Sequence, residues 1–184
     1  LKYAKEKHIQ VVPEIETPGH ARASIKAMEH RYNKYMLAGD KTAAEEYLLH
    51  DLDDKSEYNT AQNFGDNVLN PALPSVYRFL DKVLTEFISM YAEAGVPFEK
   101  VSLGGDEVPP GVWEKKKKIK ALMDKEGMTS VHQVWTYYIS KINELCISKG
   151  LQMAGWEEIG MVNKGSAMVV NPDMPNKQNM QLDV

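Results

Sequence analysis

Cysteine is almost absent: Cys146 stands alone in 184 residues. A single thiol excludes an internal disulfide framework and, lacking a partner, a cysteine zinc site. Its place on the apolar face of a predicted helix makes it a buried structural thiol and not a nucleophile. Long apolar runs are missing too, and none approaches the ~20 residues that span a bilayer. The formal net charge of −4 gives no reason to expect nucleic acid or an anionic membrane as partner. Repeats and low-complexity tracts are absent, and no Gly-x-Gly-x-x-Gly or Walker-type loop joins a strand to a helix. A doubly wound nucleotide-binding sheet is therefore disfavoured, and no cofactor is indicated. What remains is ordinary in content, 43% hydrophobic and 26% charged, and long enough to bury a sizeable core as one domain.

Helix and strand signals alternate along this chain. Leu1 to Lys7 has the pattern of a helix end, and Ile9 to Glu14 that of a short buried strand. Thr17-Pro18-Gly19-His20 is a turn, with a helical start from Ala21 to Met28. Residues 30–70 are polar and irregular, with a helix across Lys41 to Leu48, and are expected to form a loop excursion on the face of the strand ends. Apolar residues from Val76 to Tyr91 recur at helical spacing. The strand Lys100-Val101-Ser102-Leu103 follows. After Pro109-Pro110-Gly111, Val112 to Lys125 is expected as a basic, exposed helix, with Lys115 to Lys118 on a solvated face. Ser130 and Gln133 form a capping box for a helix that stops at Gly150. The strand Gln152 to Trp156 comes next, and a last strand is expected at Ala167 to Asn171.

This order implies an α/β fold with parallel strands and right-handed crossovers. Functional residues should then gather at the strand ends: Glu14 to His20, Asp106-Glu107, and Trp156-Glu157-Glu158. The most telling of these is Leu103-Gly104-Gly105-Asp106-Glu107-Val108. An Asp-Glu pair is common on solvated turns. Here it ends an apolar strand after two glycines, which lack a Cβ and let the backbone bend sharply toward a ligand. Two carboxylates so close disfavour each other's ionisation, so one of them can act as an acid.

Three segments in order, Pro13-Glu14-Ile15-Glu16-Thr17-Pro18-Gly19-His20, Leu103 to Val108, and Gly155-Trp156-Glu157-Glu158-Ile159, resemble the third, fourth and fifth strand ends of the family 20 glycoside hydrolases, the β-N-acetylhexosaminidases. The similarity runs from the first residues to about Ile159. The resemblance implies that residues 1–184 are a fragment of one catalytic domain, a partial (β/α)8 TIM barrel of approximately strands three to six. It implies hydrolysis, with retention, of terminal β-linked N-acetylglucosamine or N-acetylgalactosamine. Glu107 would be the general acid and base, and Asp106 would orient the substrate's acetamido group, whose oxygen is the nucleophile. His20 would belong to a hydrogen-bonded chain tuning the acid, Trp156 would wall the acetamido pocket, and Glu157 or Glu158 would support the site. Glu14 and Glu16 would shape loops behind it. A metal role for His20 is disfavoured, because no His or Cys stands at zinc spacing.

The implied partner is a glycan bearing a terminal N-acetylhexosamine, and the implied setting is secreted or periplasmic. The chain starts at Leu1 without methionine, so it is expected to be an excerpt, and the lack of a targeting sequence says nothing about location. The arginine, tyrosine and later tryptophans that complete the family's sugar cradle have no visible counterpart, and missing barrel strands would be required for a full site. Trp113 and Trp135 are expected to pack within the core. Two other readings stay open: a conventional two-carboxylate retaining glycosidase using Glu157 or Glu158, and a carbohydrate-binding remnant without catalysis.

Overall fold

A computed structural model of the chain describes residues 1–54, 56–164 and 167–183. Helices α1 (Lys2–Glu6), α2 (Arg22–Leu37), α3 (Lys41–Glu45) and α4 (Pro74–Glu93) precede strand β1 (Lys100–Ser102). Helices α5 (Lys117–Glu126) and α6 (Val131–Ser148) lead to β2 (Gln152–Trp156), and a 3₁₀ turn, Glu157–Gly160, enters a hairpin of β3 (Met161–Lys164) and β4 (Ala167–Val170). The described chain closes on a second 3₁₀ turn and β5 (Met180–Asp183).

The main sheet is parallel, in the order β1-β2-β5. Residues 13–15 run along the other side of β1, where Ser102 N donates to Pro13 O and Ile15 N to Ser102 O, both at 2.9 Å. Glu14 pairs with Ser102 in a parallel bridge. The segments thus lie in sequence order across the sheet, with helices between them, as in a partial barrel.

The core explains why α4 and α6 form. Val76, Leu80 and Leu84 on α4 and Tyr138, Ile139, Ile142 and Cys146 on α6 recur every three or four residues. All are buried with Val101, Leu103 and Met153 of the sheet in one apolar cluster. Gln133 accepts from Ser130 N at 3.1 Å, closing the predicted cap of α6.

Five expectations are corrected. The segment Ile9 to Glu14 forms no strand beyond its one bridge, and Ile9, Val11 and Val12 are exposed because no element among the described residues covers them. Helix α2 runs on to Leu37, well into the supposed loop, since its polar residues are good helix formers and it buries only Ile25. Residues 112–116 form a turn, not helix: Val112 and Trp113 are buried in it, and α5 starts at Lys117. Lys116 is not on a solvated face. Its ammonium is buried, 2.9 Å from Asp54 Oδ2, and burial lowers its pKa while Asp54 opposes the shift. Last, Ala167–Val170 belongs to an antiparallel hairpin with β3, and the parallel strand beside β2 is Met180–Asp183.

Candidate active site

The strand ends on one face of the sheet hold the acids. After β1 the chain turns at Gly104 (φ +59) and Gly105 (φ +95). A Cβ at Gly104 would overlap Glu16 Oε2, and one at Gly105 would overlap Ile159 Cγ2, so both positions need glycine for space as well as for φ. Glu107 (φ +52), His20 (φ +48) and Trp113 (φ +73) also adopt left-handed backbone. For a residue with a side chain this costs about 1–3 kcal/mol and is retained where surrounding structure enforces it.

The turn after Glu16 delivers His20 to the acidic pair. Its Nε2 lies 3.3 Å from Asp106 Oδ2 and 3.4 Å from Glu107 Oε2. Thr17 in this turn is fully buried and hydrogen-bonded to the Tyr138 hydroxyl on α6, tying the turn to the core. Ligand atoms of His20, Asp106 and Glu107 converge within 4.8 Å, close enough to surround a metal ion. The histidine's contacts to both acids account for that convergence without one.

Gln62, which carries no motif in the sequence, and Glu14 and Glu16, expected behind the site, complete the arrangement. Gln62, from the excursion before α4, donates from Nε2 to Glu107 Oε2 at 2.8 Å. The excursion is held by Asp66, which pairs with Arg22 at 2.8 Å and Lys26 at 2.9 Å, and by the Lys116–Asp54 contact. No local motif marks Gln62; only the length of the excursion hinted that it returns to the strand ends. Glu16 stands behind Asp106. Burial, then the neighbouring Asp106 and Glu14 carboxyls, push its pKa up to about 8. Glu14 itself accepts from Ser102 Oγ at 2.7 Å.

A cavity of about 800 Å³ opens beside Glu107, lined by Val108, Trp113, Trp135, Glu158 and Met168 among others. Trp113 is buried and its indole N–H donates to Leu69 O at 2.9 Å, so it packs and lines at once. Trp135 lies on α6, as expected, with a face on the cavity. Trp156 ends β2 at 41% exposure and is not among the residues lining this cavity. Glu157 beside it is exposed. The structure therefore brings His20, Asp106 and Glu107 together and leaves Trp156 and Glu157 at an open strand end nearby. Such a site offers a carboxyl that can exchange a proton, a second carboxylate beside it and a histidine touching both, next to an apolar wall.

Residues 1–180 match the family described as glycosyl hydrolase family 20, catalytic domain. The chain is 34% identical over 177 residues to a beta-hexosaminidase of Vibrio vulnificus, covering 94% of this chain and 21% of that protein. It is 39% identical over 158 residues to a beta-hexosaminidase of Vibrio furnissii, covering 86% and 22%. Among solved structures it is similar to the GH20 exo beta-N-acetylglucosaminidase from Vibrio harveyi in complex with N-acetylglucosamine. That match has a TM-score of 0.71 and 35% identity and covers 89% of this chain and 22% of that one. The chain thus spans about a fifth of the length of these relatives.

Proposed function

This chain belongs to glycosyl hydrolase family 20, and on that premise we propose that the protein carrying it removes terminal β-linked N-acetylglucosamine or N-acetylgalactosamine from glycans, with retention. Residues 1–184 would supply strands three to six of its catalytic barrel, with the remaining strands completing the sugar cradle. The observation that carries this reading is the adjacency of Asp106 and Glu107 at the end of β1, both within reach of His20. Hexosaminidase relatives and the N-acetylglucosamine bound to the Vibrio harveyi enzyme support the substrate class.

Glu107 protonates the glycosidic oxygen as the bond to the leaving group breaks, and its carboxylate then takes a proton from the incoming water. The nucleophile is the substrate's own acetamido oxygen, so a ring closes on the anomeric carbon and no protein group is consumed. Asp106 accepts the acetamido N–H, turns that group toward the anomeric carbon and stabilises the positive charge that develops on it. His20, touching both carboxylates, fixes their relative orientation. Trp156 offers an aromatic face for the acetamido methyl and the sugar's C–H surface.

Glu158 lines the same cavity as Glu107, so the reading to test against is a conventional pair with Glu158 as nucleophile. Release of an aryl group from a β-N-acetylglucosaminide and from the matching β-glucoside separates the two. Cleavage of the acetamido sugar alone is expected. Glu107→Gln should lose about 10²–10⁴-fold on poor leaving groups and much less on an activated aryl group. Equal cleavage of both sugars by the unaltered protein would mean a protein nucleophile. No cleavage of either would favour a binding remnant.

A further inference from the structure

Glu16 has no assigned chemistry in the scheme above, yet it is placed where chemistry would feel it. Its Oε2 and Asp106 Oδ1 are both buried, and among the described residues neither meets a hydrogen-bond donor. Two carboxylate acceptors facing each other without a donor leave both oxygens unsatisfied, and their like charges repel. Gly104 leaves the space that Glu16 Oε2 occupies, so the backbone turn that delivers Asp106 is shaped around this carboxyl. The groups facing Glu16 are themselves carboxyls, Asp106 and Glu14. Beyond Asp106 stand His20 and, past it, Glu107, while Glu14, whose Oε2 accepts from the Ser102 hydroxyl at 2.7 Å, also lies within hydrogen-bonding reach of Glu16. One proton between Glu16 and Asp106 satisfies both orphaned oxygens and removes the repulsion.

We propose that Glu16 is a positioning residue that donates a carboxyl proton to Asp106 Oδ1 and leaves Asp106 Oδ2 aimed at the substrate's acetamido group. This rests on the role proposed for Asp106. Burial and the two neighbouring carboxyls hold the Glu16 proton until about pH 8. Above that the second charge forms, the donor is lost and Asp106 is repelled from its working orientation. Activity falls on the alkaline side for a reason separate from Glu107. The folded chain keeps this proton between about 4.5, the ordinary value, and about 8, whereas the unfolded chain releases it near 4.5. Stability contributed at this position therefore declines as pH rises through that window.

The test compares Glu16→Gln, Glu16→Asp and Glu16→Ala in the full protein that carries this chain. An activated aryl β-N-acetylglucosaminide serves as substrate, so that leaving-group protonation is not limiting. The amide of Glu16→Gln keeps a donor at every pH, so its kcat at pH 6 should stay within about tenfold of the parent, with the alkaline limb moved up by about one pH unit or more. Glu16→Asp should restore a titrating limb, and Glu16→Ala should lower kcat across the range with KM little changed. An alkaline limb unmoved in a folded Glu16→Gln would overturn the proposal, and so would loss in that variant as deep as in Glu16→Ala. An infrared difference spectrum at pH 7, parent minus Glu16→Gln, needs no substrate. A protonated carboxyl band is expected there, and its absence overturns the proposal. Parent protein inactive on the acetamido sugar, with the band present, would sink the proposed function and leave the protonated Glu16–Asp106 pair standing.

Discussion

The ends of β1 and β2 lie side by side, joined by Trp156 N donating to Gly104 O at 2.9 Å, and they treat their acids in opposite ways. After β1 two glycines fold the chain back, so Asp106 meets His20 and is backed by Glu16. After β2 the chain winds into the 3₁₀ turn Glu157–Gly160, which sends Ile159 into the core and leaves Trp156 and Glu157 facing out. The two ends carry similar sequences, an acidic pair after an apolar strand. What separates them is the backbone just past the strand. A carboxylate becomes part of a site when the turn after it brings other polar groups around it.

Substitutions on either side should sharpen this contrast or break it. Asp106→Asn should cost on the order of 10²–10³ in kcat, equally for poor and good leaving groups. A loss that tracks the leaving group would remove Asp106 from its orienting role. Gly105→Ala should destabilise by about 1–3 kcal/mol, because its methyl would strike Ile159, a residue of the β2 end packed against the turn after β1. Denaturant melts with unchanged midpoint would mean that the ends do not press on each other. Trp156→Ala, at the open end, should leave stability within about ±0.5 kcal/mol and raise KM by up to about tenfold. A large fall in melting temperature would show that the open end is structural after all. The smallest effect is expected from Gln62→Ala: less than about tenfold in kcat, since one hydrogen bond at an exposed carboxylate contributes about 0.5–1.5 kcal/mol.

Much of this was legible in the residues, and the exceptions have physical causes. The helices α4 and α6 announced themselves because their buried residues repeat every three or four positions. Asp106 and Glu107 were legible because an apolar strand, two glycines and two acids stand in unbroken order. Helix α2 was hidden past Met28, since it buries only Ile25 and leaves little apolar periodicity to see. The strand β5 was hidden because the apolar–polar alternation of Met180-Gln181-Leu182-Asp183 is only four residues long, and Leu182 itself is exposed. Ala167–Val170 is apolar enough to suggest a barrel strand, but its partner is the adjacent β3, a register that sequence alone does not specify. Gln62 and Glu16 were the hardest. Their roles depend on which carboxylates the fold sets against them, and nothing local encodes that.

The placing of β1 between two neighbours reaches beyond geometry. Ser102 N donates to Pro13 O on one side and Leu103 N to Ala154 O on the other, both at 2.9 Å, while Val101 and Leu103 are fully buried. No fraying edge exposes these amides. Their protons should exchange with heavy water far more slowly than those of the exposed turns around Gln62. The acidic pair is thus rooted in a strand bonded on both sides, so whatever holds Asp106 and Glu107 in place is as durable as the core behind them.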